Sequence, residues 1–163
     1  MIIVVFGLPG TGKSYFSKHF AEKLNAEYVN TDEIRYNMNK MGEYDNETKQ
    51  LIYNQLMKEV KKRLQFASNV IVDGTFHERS KRNQIKTQAR KLNQRTVFIE
   101  LKSNDSLAKK RLKKKREFSE ADYKVYQQIK SKFEPLQKPH LELLSNNRNV
   151  NELVDKAKNF IYE

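Results

Sequence analysis

The sequence predicts an α/β protein: a doubly wound parallel sheet of about five strands, with helices on both faces and a basic helical lid. Three observations predict it. Short apolar runs alternate with longer stretches of helical periodicity, the order that builds a parallel sheet. The first apolar run, Ile2-Ile3-Val4-Val5-Phe6, passes directly into Gly7-Leu8-Pro9-Gly10-Thr11-Gly12-Lys13-Ser14, which matches G-x-x-x-x-G-K-[ST]. Polar clusters then stand at the carboxyl ends of later strands, where open parallel sheets bind ligands.

Residues 7–14 therefore read as a phosphate-binding P-loop after a buried strand. Its glycines let the backbone curl with successive N–H groups pointing inward, a concavity for anionic oxygens. A helix beginning at about Lys13 places the positive end of its dipole beneath the same phosphates. In this motif Lys13 reaches the β/γ-phosphates and the Ser14 hydroxyl ligates Mg²⁺. Gly7, Pro9, Gly10, Thr11, Gly12, Lys13, Ser14 and Tyr15 are the expected ATP-binding residues.

The remaining elements follow in order. Phe16, Phe20, Ala21 and Leu24 give the first helix an inward stripe, as on a helix packed against a sheet. Glu27 to Asn30 is a second strand. Thr31-Asp32 signals a helix start, with Ile34, Met38 and Met41 carrying the stripe to Gly42. A longer helix spans 47–66, with Leu51, Ile52, Leu56, Val60 and Leu64 inward. Residues 69–74 form a buried strand ending in Asp73-Gly74, followed by a helix over 78–92 and a strand over 96–101. A very basic helix spans 105–116, and Ser119-Glu120-Ala121-Asp122 opens another that closes before Pro135. A short strand at 141–144 and a helix over 151–162 complete a single domain over residues 1–163.

Composition narrows the function classes. A chain of 163 residues can bury about 68–70% of its unfolded surface without staples. The absence of cysteine excludes disulfides, thiolate metal sites and a cysteine nucleophile. With no apolar run of membrane-spanning length and no signal-peptide pattern, the chain is expected to be soluble and cytoplasmic, with no membrane partner. Its net charge of +12 is unevenly placed: residues 1–60 carry 7 Lys/Arg against 8 Asp/Glu, whereas residues 61–163 carry 25 against 12. That asymmetry points to an anionic partner, nucleic acid first.

Three further groups carry candidate chemistry. Asp73 closes an apolar strand, as does the Walker B acid that helps hold Mg²⁺; a strand-end Asp bonding its own turn is the other role open to it. Asp32 either caps a helix with Arg35 as ion-pair partner, or acts as general base toward an acceptor hydroxyl while Arg35 holds an anionic group of that acceptor. Thr75, beside Asp73, is a second candidate acceptor contact. The basic helix is either a solvated face or a lid, with Arg111, Lys115 and Arg116 projecting over the transferring phosphoryl group. His19, His77 and His140 are isolated in sequence and are expected to be ordinary.

The P-loop, together with Thr31-Asp32-Glu33-Ile34-Arg35, Val70-Ile71-Val72-Asp73-Gly74-Thr75-Phe76, Arg111-Leu112 with the basic residues after it, Ser119–Asp122 and Phe133-Glu134-Pro135-Leu136, resembles the small P-loop kinases of the polynucleotide kinase type across nearly the whole chain. That resemblance implies an ATP- and Mg²⁺-dependent kinase. Asp32 would activate the acceptor hydroxyl, Arg35 would contact an acceptor phosphate, and Arg111 with a second cation one turn later would serve as lid. The second cation departs from the family's Arg: it is Lys115, with Arg116 beside it, and a Lys lacks the bidentate grip. The implied acceptor is the 5′-OH of DNA or RNA. The same motifs extend to seryl-tRNA kinases, adenylylsulfate kinases and zeta-type toxins, so tRNA and small-molecule acceptors stay open. So does a nucleic-acid-binding NTPase without an acceptor.

Overall fold

The computed structural model describes residues 1–114, 118–137 and 139–163. Five strands, β1 (Ile2–Phe6), β2 (Glu27–Asn30), β3 (Val70–Asp73), β4 (Thr96–Lys102) and β5 (Leu141–Leu144), form one parallel sheet in the order β2-β3-β1-β4-β5. Seven helices connect and follow them: α1 (Lys13–Leu24), α2 (Thr31–Asn37), α3 (Asn46–Arg63), α4 (Arg79–Lys91), α5 (Asp105–Leu112), α6 (Tyr123–Ser131) and α7 (Val150–Tyr162). The doubly wound sheet expected from the alternation is the observed fold. Among the described residues no helix is long and apolar enough to cross a membrane.

The strands are apolar on both sides because both faces are covered. On one face α1 and α7 set Phe16, Phe20, Leu153, Val154, Ala157 and Ile161 against Ile3, Val5, Ile71, Ile99 and Leu101. On the other, α3 and α4 set Ile52, Leu56, Val60, Ile85 and Ala89 against Ile2, Val4, Val70 and Val72. A small third cluster, Ala108, Leu112 and Tyr126 with Leu8 against it, seats α5 and α6 on the P-loop.

Strand register places the polar ends. Asn30 lies directly beside Asp73, and Asp73 beside Val5, so the acid that ends β3 stands between the end of β2 and the P-loop strand. Arg82, 1% exposed, fixes the loops above this edge. Its guanidinium donates to Phe76 O (2.6 Å) and Glu134 O (2.5 Å) and lies over the rings of Phe6 and Phe133.

Several expected boundaries shift. Helix α2 ends at Asn37 rather than Gly42, because Asn39 adopts a left-handed conformation (φ 54°) that Asn tolerates and a helix does not. Leu51 is 42% exposed rather than inward; Tyr53, on the next inward row, is buried instead. The basic helix ends at Leu112, not at residue 116. Lys115 and Arg116, the expected second lid cations, lie outside the described residues. Asp122 begins α6, its carboxylate accepting from Val125 N at 2.8 Å.

Candidate active site

A cleft of about 1240 Å³ opens at the carboxyl ends of β1, β2 and β3. Its donor wall is the P-loop. Gly10 (φ 78°) and Gly12 (φ 94°) use backbone conformations that other residues rarely adopt. A Cβ on Gly10 would also lie 2.9 Å from Ala108 O and Leu112 Cγ, so the loop is packed against α5 with no room for a side chain. Gly12 caps α1 without any side-chain hydrogen bond. The first N–H groups of α1 have no intrahelical partner, and they face the cleft alongside Lys13 and Ser14. The Lys13 ammonium donates to Leu8 O (2.8 Å), bracing the loop from inside. Backbone amides, a helix N-terminus and an ammonium form a cradle that fits a polyphosphate.

Behind the cradle lies a hydrogen-bonded group that the P-loop motif alone does not reveal. Asp73, 1% exposed, accepts at Oδ2 from Asn30 Nδ2 (2.6 Å) and from the Tyr28 hydroxyl (2.8 Å). Asn30 Nδ2 also points at Ser14 Oγ at 3.4 Å. Burial first, and then the neighbouring Asp73 carboxylate, push the Tyr28 hydroxyl far above its ordinary pKa, so it stays a proton donor throughout the working range. The Ser14 hydroxyl and the Asp73 carboxylate converge on one amide nitrogen. Both are hard oxygen donors beside a polyphosphate cradle, the donor set that Mg²⁺ favours.

Asn30 serves the acceptor wall too. Its Oδ1 accepts from Asp32 N (2.7 Å) and Glu33 N (3.0 Å), making it the N-cap of α2. Asp32 is therefore not the cap that one reading of the sequence allowed. It sits in the first turn and lines the cleft with Asp73 and Thr75. Arg35 is elsewhere. It is buried, donates to Glu43 O and stacks over Tyr44 at 4.6 Å, and it is not on the cleft wall. Lys49 and Lys132 line the cleft, as does His77. Burial lowers the pKa of His77, against the opposing pull of Glu78, which keeps the ring neutral at physiological pH.

Two contacts tie α2 and the loop after it to the segment before α6. Glu120, from the segment before α6, accepts from Tyr44 Oη (2.7 Å) and Gly42 N (2.7 Å), and Phe118 meets Tyr36 edge-on at 5.2 Å. On the donor side Arg111 donates to Gly10 O (3.3 Å), Ser145 Oγ (3.1 Å), Asn146 O (3.1 Å) and Asn147 Oδ1 (3.1 Å), pinning α5 to the P-loop and to the β5–α7 turn.

Of the expected ATP-binding residues, Pro9, Gly10, Gly12, Lys13, Ser14 and Tyr15 line the cleft, as do Asp32, Asp73, Thr75 and Arg111. Gly7 and Thr11 support the loop from behind: Gly7 N donates to Thr75 O and Thr11 Oγ1 to Leu8 O. Asn30 belongs to the polar cluster at the end of β2 that was expected to face the cleft, but without a role of its own, and Glu120 to the Ser119–Asp122 segment of the motif resemblance. Tyr28, Tyr44 and the 145–147 turn were not expected at the site; the signal available for the turn is its run of Asn residues. Outside the cleft, His140 lies between Glu100 (3.3 Å) and Glu142 (3.2 Å). Lys102 pairs with both carboxylates, so this group is a cross-strand network of side chains that engage one another.

A family model described as an AAA domain matches residues 2–136. The L-seryl-tRNA(Sec) kinase of Methanococcus maripaludis is 34% identical over 116 residues, 68% of this chain and 44% of that protein; the chain thus spans less than half the length of that curated relative. Among solved structures, the Mycobacterium tuberculosis APS kinase superposes with a TM-score of 0.76 at 15% identity, covering 99% of this chain and 97% of that one. A sugar kinase from Janibacter sp. HTCC2649 gives 0.75 at 18% identity, covering 98% and 93%. These likenesses show a P-loop, nucleotide-kinase-like fold shared with small-molecule and tRNA-associated kinases. With the model matching most of its length, the chain belongs to the AAA domain family.

Proposed function

We propose that the chain is an ATP- and Mg²⁺-dependent phosphotransferase that moves the γ-phosphoryl group of ATP to a hydroxyl, acting as one kinase domain over residues 1–163. The observation that carries this reading is Asn30. One side chain holds Asp73 and approaches Ser14 through its amide nitrogen, and caps the helix bearing Asp32 through its amide oxygen. Groups suited to metal and phosphate are thereby tied to a carboxylate on the same cleft wall.

In the proposed reaction the P-loop amides and Lys13 hold the phosphates, and Ser14 and Asp73 would hold Mg²⁺. The bound ion would neutralise charge on the β- and γ-phosphate oxygens. Asp32 orients the acceptor hydroxyl and takes its proton as the oxygen attacks the γ-phosphorus and ADP leaves. Arg111, whose charge is held at the P-loop, stabilises the same region from above. The relatives support a small hydroxyl compound or a tRNA-borne hydroxyl as acceptor. The 5′-OH of a polynucleotide rests on the motif resemblance and on the basic charge of residues 61–163.

Replacing Asp32 with Ala should leave ATP binding within a few-fold and lower transfer by about 10² to 10⁴. Full transfer in that variant would return Asp32 to a helix-stabilising role. A second reading, an NTPase that binds nucleic acid without phosphorylating it, is motivated by the basic residues 61–163. It predicts that label from the γ-phosphate of ATP appears only as inorganic phosphate.

A further inference from the structure

Helix α4 carries six Lys/Arg residues in thirteen and no Asp or Glu. Arg82 is buried and has a packing role, and Lys81 donates to Gln50 and lies over the Tyr53 ring; Arg79, Arg90 and Lys91 are exposed and Lys86 is half-buried. Among the described residues none of the five other than Arg82 forms an ion pair, whereas α7, on the opposite face of the sheet, pairs Lys156 with Glu152 within itself and Asp155 with Lys23 of α1. The helix also works against its own electrostatics. Arg79 stands in a first turn that has no acid, where a cation opposes the helix dipole. Arg82, Lys86 and Arg90 follow at i, i+4 and i+8, like-charge spacings that weaken a helix. The fold sets the Glu134 carboxylate against the first turn of α4, and the exposed cations further along the helix mark a place to look for a partner.

The placement is directional. Arg79, Asn83, Lys86 and Arg90 fall at i, i+4, i+7 and i+11, one face of the helix, and span roughly 16 Å along its axis. The stripe begins at the cleft. His77 and Glu78, which precede α4, line the cleft, as does Glu134, whose carboxylate accepts from Arg79 N. Lys49 and Lys132, also without ion-pair partners among the described residues, face the cleft on this side. Cations thus run from the acceptor wall down the outside of the molecule.

We infer that α4 is a track for the phosphodiester backbone of a nucleic acid, holding it while one of its hydroxyls reaches the cleft. This rests on the kinase reading for the destination of the hydroxyl, but not for the binding itself. Neutralising successive phosphates displaces counterions, so binding through the track must be steeply salt-dependent. It would also explain why Arg35 is committed elsewhere: the acceptor's phosphates are met from outside the cleft.

The test measures anisotropy of fluorescein-labelled single-stranded DNA, single-stranded RNA and a tRNA transcript between about 50 and 200 mM salt. Three proteins are compared: wild type; R79Q/K86Q/R90Q; and K23Q/K156Q/K158Q, which removes equal charge from the opposite face. The track predicts tight low-salt binding by wild type. The α4 variant should bind on the order of tenfold or more weakly, with a salt slope shallower by about 2, and the opposite-face variant should stay within about twofold. Mg·ATP affinity and thermal melting, unchanged in the α4 variant, show that the fold and the donor site are intact. If the triple variant melts early, the single variants should each lower the slope by about 0.7 for a single strand. The three nucleic-acid arms distinguish DNA from RNA and tRNA. Absence of wild-type binding, equal loss in both triple variants, or equally tight α4-dependent binding to vesicles of anionic phospholipid would each overturn the proposal. Binding without transfer of the γ-phosphate label of ATP to any acceptor, nucleic acid or small alcohol, would leave the track standing and remove the kinase reading.

Discussion

On the donor side of the cleft, the P-loop wall comes from Pro9, Gly10, Gly12, Lys13, Ser14 and Tyr15, and the two carboxyl-end partners, Asn30 and Asp73, are adjacent in strand register. On the acceptor side, Asp32 shares its wall with Tyr44, Lys49, Thr75, His77, Glu120 and Lys132, and the latch between Tyr44 and Glu120 joins residues 76 apart in sequence. The donor side is built by local backbone geometry and sheet register. The acceptor side is assembled by loops, each placed by contacts elsewhere. The first arrangement suits a ligand shared by many proteins; the second can change acceptor without disturbing the cradle.

The sharpest way to break this contrast is at Lys13. Its replacement by Ala should lower transfer by about 10² to 10³ and weaken nucleotide binding with it, because it removes a cation from the phosphate cradle. A loss in transfer with unchanged nucleotide affinity would place Lys13 on the wrong side of the comparison.

The next effect concerns the bridge between the sides. Ser is as good an N-cap as Asn, so Asn30→Ser keeps α2 while removing the donor to Asp73. Combined with Tyr28→Phe, it strips both hydrogen bonds from the Asp73 Oδ2 atom. Hydrogen bonds to a charged group are worth about 1.5–3 kcal/mol each, so either replacement alone should lower transfer by roughly 10- to 150-fold, and the two together by more. Nucleotide binding measured with and without Mg²⁺ is the decisive readout. Positioning of Asp73 predicts that only the Mg²⁺-dependent part falls, whereas general destabilisation lowers both.

The smallest effect is at the latch. Glu120 is exposed, so Glu120→Gln should cost at most about 1 kcal/mol, seen as a rise in acceptor KM with nucleotide affinity unchanged. Burial first, and then Glu120, push the Tyr44 hydroxyl up to about 12. A raised tyrosine pKa contributes stability below its ordinary value of about 10, and that contribution is lost as pH rises through the raised value. Melting profiles of wild type and Tyr44→Phe should therefore run parallel from neutral pH to about 10 and converge above it.

The same division decided what could be read from sequence. The P-loop, the alternation of strands and helices along the chain and the acid at the end of β3 were legible because each is a short-range pattern: a glycine spacing, an apolar run, a strand-end Asp. The inward stripe of α7 was legible for the same reason: Leu153, Val154, Ala157 and Ile161 recur at helical spacing in the sequence, and all are buried. Arg35 was read as an acceptor contact because it lies one turn after Asp32. Its actual orientation depends on Glu43 and Tyr44, in a loop whose path follows from the left-handed Asn39, and helical spacing cannot report that. Asn30 was visible as a polar residue at a strand end. Its double role became apparent only once the register of β2 on β3 set it beside Asp73. His140 looked isolated because its partners, Glu100 and Glu142, face each other across two strands.

The central claim is that one cleft transfers phosphate from ATP to a hydroxyl with Asp32 as the base. The direct measurement follows the γ-phosphate label of ATP into tRNA, 5′-OH DNA, 5′-OH RNA, nucleosides, sugars and other small alcohols, for wild type and Asp32→Asn, with nucleotide affinity determined in parallel. The account predicts label on an acceptor with wild type, and its loss in Asp32→Asn while Mg·ATP affinity is retained. Label released only as inorganic phosphate by wild type, or undiminished transfer by Asp32→Asn, would contradict it.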